Sequence, residues 1–499
     1  MDILLKGGTI VDGTGGEPYE GSVAVRDRMI VAVGADLDVA AARQTIDCNG
    51  LVICPGFIDL HNHSDNTILT PETRDARCYL TQGCTTLVTG NCGGGQRDAG
   101  AFYDELSAGG VGANIAHLVP HGAIRDQVMG KVRRAPTETE LRQMQELVAD
   151  GMRDGAWGMS TGLIYVPSAF ADTDELVALA QTVAQNGGIY ASHIRNEDDE
   201  LFESVEEVIE IARRAALPCH ISHIKASDPG NWGKLRVVAR MVEQARSSGL
   251  RITADQYPYN ASSTSMMALL LPDKEREGGE VATAERLKDP NEAARLRPLV
   301  AKEIEDSGPM LIASFPAKPH WLGKTLHEVA KLEKCEPVDV AFELFRNPKA
   351  QGIHFGMGEE DVRFAMKLPW VATASDGSSK IDDGTRPHPR SYGTFPRKIG
   401  RYAIKENVLP MAAAVRSASG LPADILGMTD RGYVRENLVA DLVVFDPKQL
   451  EDRATYEKPF ETSIGIRWVL VNGKIAIAGG VPQDILAGRP LRRESRGDK

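Results

Sequence analysis

Six residues carry the chemistry legible in this chain: His61, His63, Cys92, His193, His223 and Asp376. Each closes a short apolar run. His61 and His63 end the segment GFIDLHNH. Two residues apart on an extended chain, they face the same side and can grip one divalent cation through imidazole nitrogen. Cys92 ends TTLVTGNC, ahead of a Gly-Gly-Gly turn. A thiolate there would be a strong, soft ligand for zinc. His193 lies in GIYASHIR and His223 in CHISHIK, one β/α unit apart, so they should come from adjacent strands. Asp376 sits at the tip of WVATASDG. An acid at the end of an apolar strand needs a charge partner, which points to metal ligation or proton shuttling.

Taken singly, each of these features is ordinary. A His-x-His pair is commonly exposed, a lone cysteine is usually a small hydrophobe, and Ser-Asp-Gly is a common turn. Their joint placement at strand ends is what argues for a site. His220, three residues before His223, is read differently. Alternation puts it on the opposite face, toward the helices, as a structural histidine.

The elements that must position these residues follow from the periodicity. Eight strand-like runs alternate with mostly amphipathic helical stretches: GFIDLHNH, TTLVTGNC, ANIAHLVP, WGMSTGLIY, GIYASHIR, CHISHIK, RITADQYPY and WVATASDG. Eight β/α alternations predict an α/β fold, a closed parallel (β/α)₈ TIM-like barrel with polar strand C-termini lining one mouth. The two ends of the chain read as short strands with Gly-rich turns. They are expected to form one small β-sandwich domain, 1–54 with 431–499, flanking a barrel over 55–430. Within the barrel, about 270–350 is extra length. It includes the charged run DKEREGGEVATAERLKDPNEAARLRP, to be read either as a solvated excursion or as a lid.

Bulk properties exclude several classes. The 499 residues are 42% hydrophobic and 25% charged, an ordinary globular balance. A net charge of −12 argues against nucleic acid or an anionic membrane as partner. No apolar run is long enough to cross a bilayer, and the N-terminus lacks signal-peptide character. Seven cysteines, odd in number and sparse, fit reduced thiols and a cytoplasmic location.

Several segments resemble a known family. The DLHNH turn, the two later strand-end histidines and the SDG aspartate resemble the amidohydrolase superfamily. More narrowly, GNCG, GLIYVP, SHIRNE, SHIK, DQYPY and HPRSYGTFPR resemble the N-acyl-D-amino-acid deacylases, or D-aminoacylases. The resemblance implies zinc-dependent hydrolysis of a linear amide in a small-molecule N-acyl-D-amino acid. It implies that Cys92, His193 and His223 hold a tight zinc, and that His61, His63 and Asp376 form a weaker second position. It further implies that Lys225 and Arg390 clamp the α-carboxylate with Tyr257 assisting, that Tyr165 lies beside the scissile carbonyl, and that Asp376 moves the proton. WGMSTGLIY, the fourth strand, has no lysine of the kind that is carboxylated in many superfamily members. That favours the deacylase reading over a hydantoinase or dihydroorotase. A metal-free scaffold is disfavoured because all six ligands are present.

Overall fold

The computed structural model describes residues 1–494 except 36 and 38–41. Eight parallel strands form the central barrel. They are Phe57–Asp59, Cys84–Thr89, Asn114–His117 continuing as Val119–Pro120, Gly158–Gly162, Ile189–His193, Cys219–Ile221, Ile252–Gln256 and Val371–Thr373. Each pairs in parallel with the next. The ring closes between the eighth and first strands just beyond their regular ends. Asp376 N donates to His61 O at 2.8 Å, and His63 N donates to Gly377 O at 2.7 Å. The closure therefore places three of the candidate ligands at one seam.

The helices of the outer ring form where the sequence supplies caps and an apolar stripe. Thr173–Gln185 starts at Asp172, whose side chain accepts from Glu175 N. Glu138–Arg153 starts on a reciprocal Thr137–Glu140 capping box. Leu201–Ala215 buries Val205, Val208, Ile209 and Ala212 against the strands. Cys219 and Ile221 pack in this same helix-facing core.

Both ends of the chain build a single nine-stranded sheet. Strand Ile3–Ile10 forks, pairing in parallel with Gln44–Asp47 at its start and with Val52–Pro55 at its end. Its register against Tyr19–Arg26 shifts between Leu5 and Gly8, where Gly7 takes φ +70°. Val52–Pro55 then joins Leu442–Phe445 from the C-terminal part. Ile3, Leu5, Val23, Val25, Leu442 and Val444 fill the core of this sheet.

The extra length between the seventh and eighth barrel strands is neither a bare loop nor a solvated excursion. It is an ordered unit with a three-stranded antiparallel sheet, Ser262–Ser265, Gln351–His354 and Met310–Ser314. It has its own core, including Met267, Leu296, Val300, Trp321, Val329 and Leu344. The charged run folds largely into helices Gly279–Arg286 and Pro290–Asp306, the second of which keeps its polar face in solvent and buries Leu296, Val300 and Ile304. No helix among the described residues is long and apolar enough to cross a membrane.

Candidate metal centre

All six candidate ligands converge at the C-terminal mouth of the barrel. Donor atoms of Cys92, His193 and His223 lie within 4.8 Å of one another, as do those of His61, His63 and Cys92 and those of His61, His223 and Asp376. Cys92 Sγ is 3.2 Å from His61 Nε2 and 3.7 Å from both His193 Nδ1 and His223 Nε2. Asp376 Oδ1 is 3.0 Å from His63 Nε2 and 3.5 Å from His61 Nε2. The trio of Cys92, His193 and His223 implied by the family resemblance is thus brought together. The remaining three also meet, through Asp376 Oδ1, and they share further contacts with Cys92 and His223.

The backbone turns sharply to aim these side chains. Cys92, His223 and Asp376 lie at φ +52°, +34° and +52°, a region that L residues other than Asn and Asp seldom occupy. Such positions cost on the order of 1–3 kcal/mol each and persist only where surroundings hold them. Around Cys92 that support is explicit. Asp65 Oδ1 accepts from Gly90 N at 2.6 Å, Ser160 Oγ accepts from Gly93 N at 3.0 Å, and Asn91 Nδ2 donates to Val88 O at 2.8 Å.

The electrostatics suit a cation. Burial alone would raise the Cys92 thiol, but His61, His193 and His223 hold it well below the ordinary range. Burial likewise opposes charge on Asp376, yet Arg390 and the neighbouring imidazoles keep its carboxyl well below the usual value. A half-buried thiolate and several imidazoles with one carboxylate form a borderline-soft donor set of the kind that selects zinc. His61 Nδ1 and His193 Nε2 are buried without a hydrogen bond among the described residues. The residues present therefore fit a divalent metal.

The residues expected to handle substrate surround the same space. Arg390 Nη1 forms a buried ion pair with Asp376 Oδ2 at 2.7 Å, and its guanidinium stands 4.9 Å from the centre of the Tyr257 ring. Lys225 Nζ is 5.9 Å from that ring, 2.5 Å from Glu197 Oε1 and 2.7 Å from His223 Nδ1. Tyr257 Oη is buried and without a hydrogen bond among the described residues. Tyr165 Oη lies 3.0 Å from Thr264 Oγ1 of the inserted unit, and its ring is 5.1 Å from that of His193. These groups line one cavity of about 1150 Å³, walled on one side by the insertion.

His220 departs from expectation. It points into the barrel, with Nε2 2.8 Å from Asp255 Oδ2 and Nδ1 2.8 Å from Thr253 Oγ1. Its face is the reverse of the one alternation gave. The regular strand ends at Ile221 and the chain turns at His223, so strict alternation cannot be carried across residues 220–223.

Two acids escaped the sequence reading. Asp255 Oδ2 is 3.5 Å from His61 Nδ1, while its Oδ1 accepts from His223 N at 2.7 Å. Glu197 contacts His193, His223 and Lys225. The signals were an acid at the tip of the seventh strand and a glutamate four residues beyond His193.

The amidohydrolase family model matches residues 44–295 and 313–477. The chain is 33% identical to an N-acyl-D-glutamate deacylase of Alcaligenes xylosoxydans xylosoxydans, over 99% of this chain and 97% of that one. It is 35% identical to a D-aminoacylase of the same organism, over 95% and 94%. A solved N-acyl-D-glutamate deacylase from Bordetella bronchiseptica, complexed with zinc and a phosphonate inhibitor, superposes with a TM-score of 0.84 at 33% identity, covering 99% of each chain. With the site geometry, these matches establish that the chain belongs to the amidohydrolase family, in the group of the D-aminoacylases.

Proposed function

We propose that this enzyme hydrolyses the amide bond of N-acyl-D-amino acids, releasing a carboxylic acid and a free D-amino acid. The observation that carries the reading is the adjacency of two sites. The Cys92–His193–His223 donor triad opens into the same cavity as two cations, Lys225 and Arg390, gathered around Tyr257. A substrate with a scissile amide next to a free carboxylate fits that pairing.

Cys92, His193 and His223 would hold a zinc ion tightly, with His61, His63 and Asp376 at a weaker second position. When bound, zinc polarises an amide carbonyl and makes water acidic enough to react near pH 7. Arg390 and Lys225 would bind the α-carboxylate through charge-assisted bonds, with the Tyr257 hydroxyl supplying one more donor. Burial and the nearby Cys92 charge push the Tyr165 hydroxyl above its ordinary pKa. It stays protonated and can donate to the carbonyl oxygen as negative charge develops there. Asp376, kept ionised by Arg390 and the imidazoles, is the proton acceptor at its carboxylate oxygen. It takes a proton from the attacking water and returns it to the leaving nitrogen as the C–N bond breaks.

The test is a panel of N-acetyl-D- and N-acetyl-L-amino acids, with hydantoins alongside, reading released amine or ring opening with and without added zinc. Amine release confined to the D series and dependent on zinc is expected. Ring opening without amine release from linear substrates would reject the reading.

A further inference from the structure

A single carboxylate lies behind two of the three imidazoles that face Cys92. His193 turns Nδ1 toward the sulfur and Nε2 away, whereas His223 turns Nε2 toward the sulfur and Nδ1 away. The rings thus offer opposite nitrogens to the same thiol. Both outward nitrogens meet Glu197, with Oε1 3.0 Å from His223 Nδ1 and Oε2 3.6 Å from His193 Nε2. His193 Nε2 is buried and has no hydrogen bond among the described residues, so this carboxylate oxygen is the acceptor at hand. We propose that Glu197 is the positioning residue of the metal centre, fixing ring orientation and tautomer in both histidines at once. The inference rests on the metal-dependent reading above.

The chemistry requires such a group. An imidazole that binds metal through one nitrogen keeps its proton on the other, and that proton needs an acceptor. Lys225 Nζ, 2.7 Å from His223 Nδ1, cannot serve, because an ammonium only donates; with the proton on Nδ1, the ring and the ammonium both give their hydrogens to Glu197 Oε1, and the 2.7 Å pair is not itself a hydrogen bond. Lys225 Nζ lies 2.5 Å from the same Oε1, so one carboxylate joins a substrate-binding cation to two metal ligands. Glu197 reaches this place because it follows His193 by four residues, in the turn that leaves the fifth barrel strand.

The experiment measures metal affinity rather than turnover. Wild type, Glu197→Gln and Glu197→Ala are stripped of metal and titrated with zinc against a chromophoric chelator. Both variants should bind zinc about 10–100-fold more weakly. Lys225→Met, which removes the ammonium but leaves the carboxylate, should not weaken binding. Wild-type affinity in both Glu197 variants, or an equal loss in Lys225→Met, overturns the proposal. Should the alanine variant fail to fold, the near-isosteric glutamine decides. A measurement on unaltered protein gives a second check. ¹⁵N-histidine spectra of zinc-loaded wild type should show the His193 proton on Nε2 and the His223 proton on Nδ1, and the reverse tautomers would overturn the assignment. If wild type takes up no zinc, the deacylase reading itself falls. If it does and the variants match it, only the role of Glu197 falls.

Discussion

The sulfur of Cys92 lies 3.2 Å from His61 Nε2, although the two residues leave different barrel strands. Cys92 therefore belongs to two of the three donor groups in the mouth, one with His193 and His223 and one with His61 and His63. Replacing it should damage both. Cys92→Ala is expected to weaken zinc binding by more than the ~10–100-fold typical of losing an outer partner. Elemental analysis after gel filtration reads this directly, and full zinc content in the variant would exclude the thiolate as a ligand.

Asp376 makes a different prediction, because the triad of Cys92, His193 and His223 does not include it. Asp376→Asn should retain the tightly held metal while kcat falls by about 10²–10⁴. Paired measurements of zinc content and turnover separate the two effects. Wild-type turnover with metal retained would remove Asp376 from proton transfer.

Tyr165 lies beside His193 and is held by Thr264 of the insertion. If it donates to the developing oxyanion, Tyr165→Phe should lower kcat by about 10²–10³ and leave KM nearly unchanged. A rise in KM with kcat preserved would instead make it a ground-state binding residue.

Lys398 offers a test remote from the metal. It is buried, its ammonium has no hydrogen bond among the described residues, and burial pushes its pKa down to about 7. In the unfolded chain a lysine titrates near 10.4. Between those values the unfolded chain holds a proton that the folded protein lacks, so stability rises with pH across this window and is lost as pH falls toward 7. Lys398→Met should flatten that slope and stabilise the protein at pH 7 by on the order of 3–5 kcal/mol. Urea unfolding at pH 7 and pH 9 measures it, and parallel pH dependences in variant and wild type would count against it.

Much of the site was legible because its chemistry is local. His61 and His63 announce themselves by spacing, and Cys92, His193, His223 and Asp376 by closing apolar runs. The alternation of strands and helices carried the barrel, since each period is set by which face must be buried. The acids behind the histidines were less visible. Glu197 and Asp255 look like ordinary loop and strand-end residues until the fold brings them against imidazole nitrogens 26–194 positions away.

The sequence by itself pointed to six side chains whose donors could meet, to eight strand ends that would present them together, and to one small β domain drawn from both termini. Tertiary structure decided what periodicity cannot carry. Alternation holds only within a regular strand, so the turn at His223 reversed the face assigned to His220. Amphipathic patterning shows which surfaces must be buried but not against what, so the stretch between the seventh and eighth strands could be placed as a unit with its own core only once its helices and strands were packed.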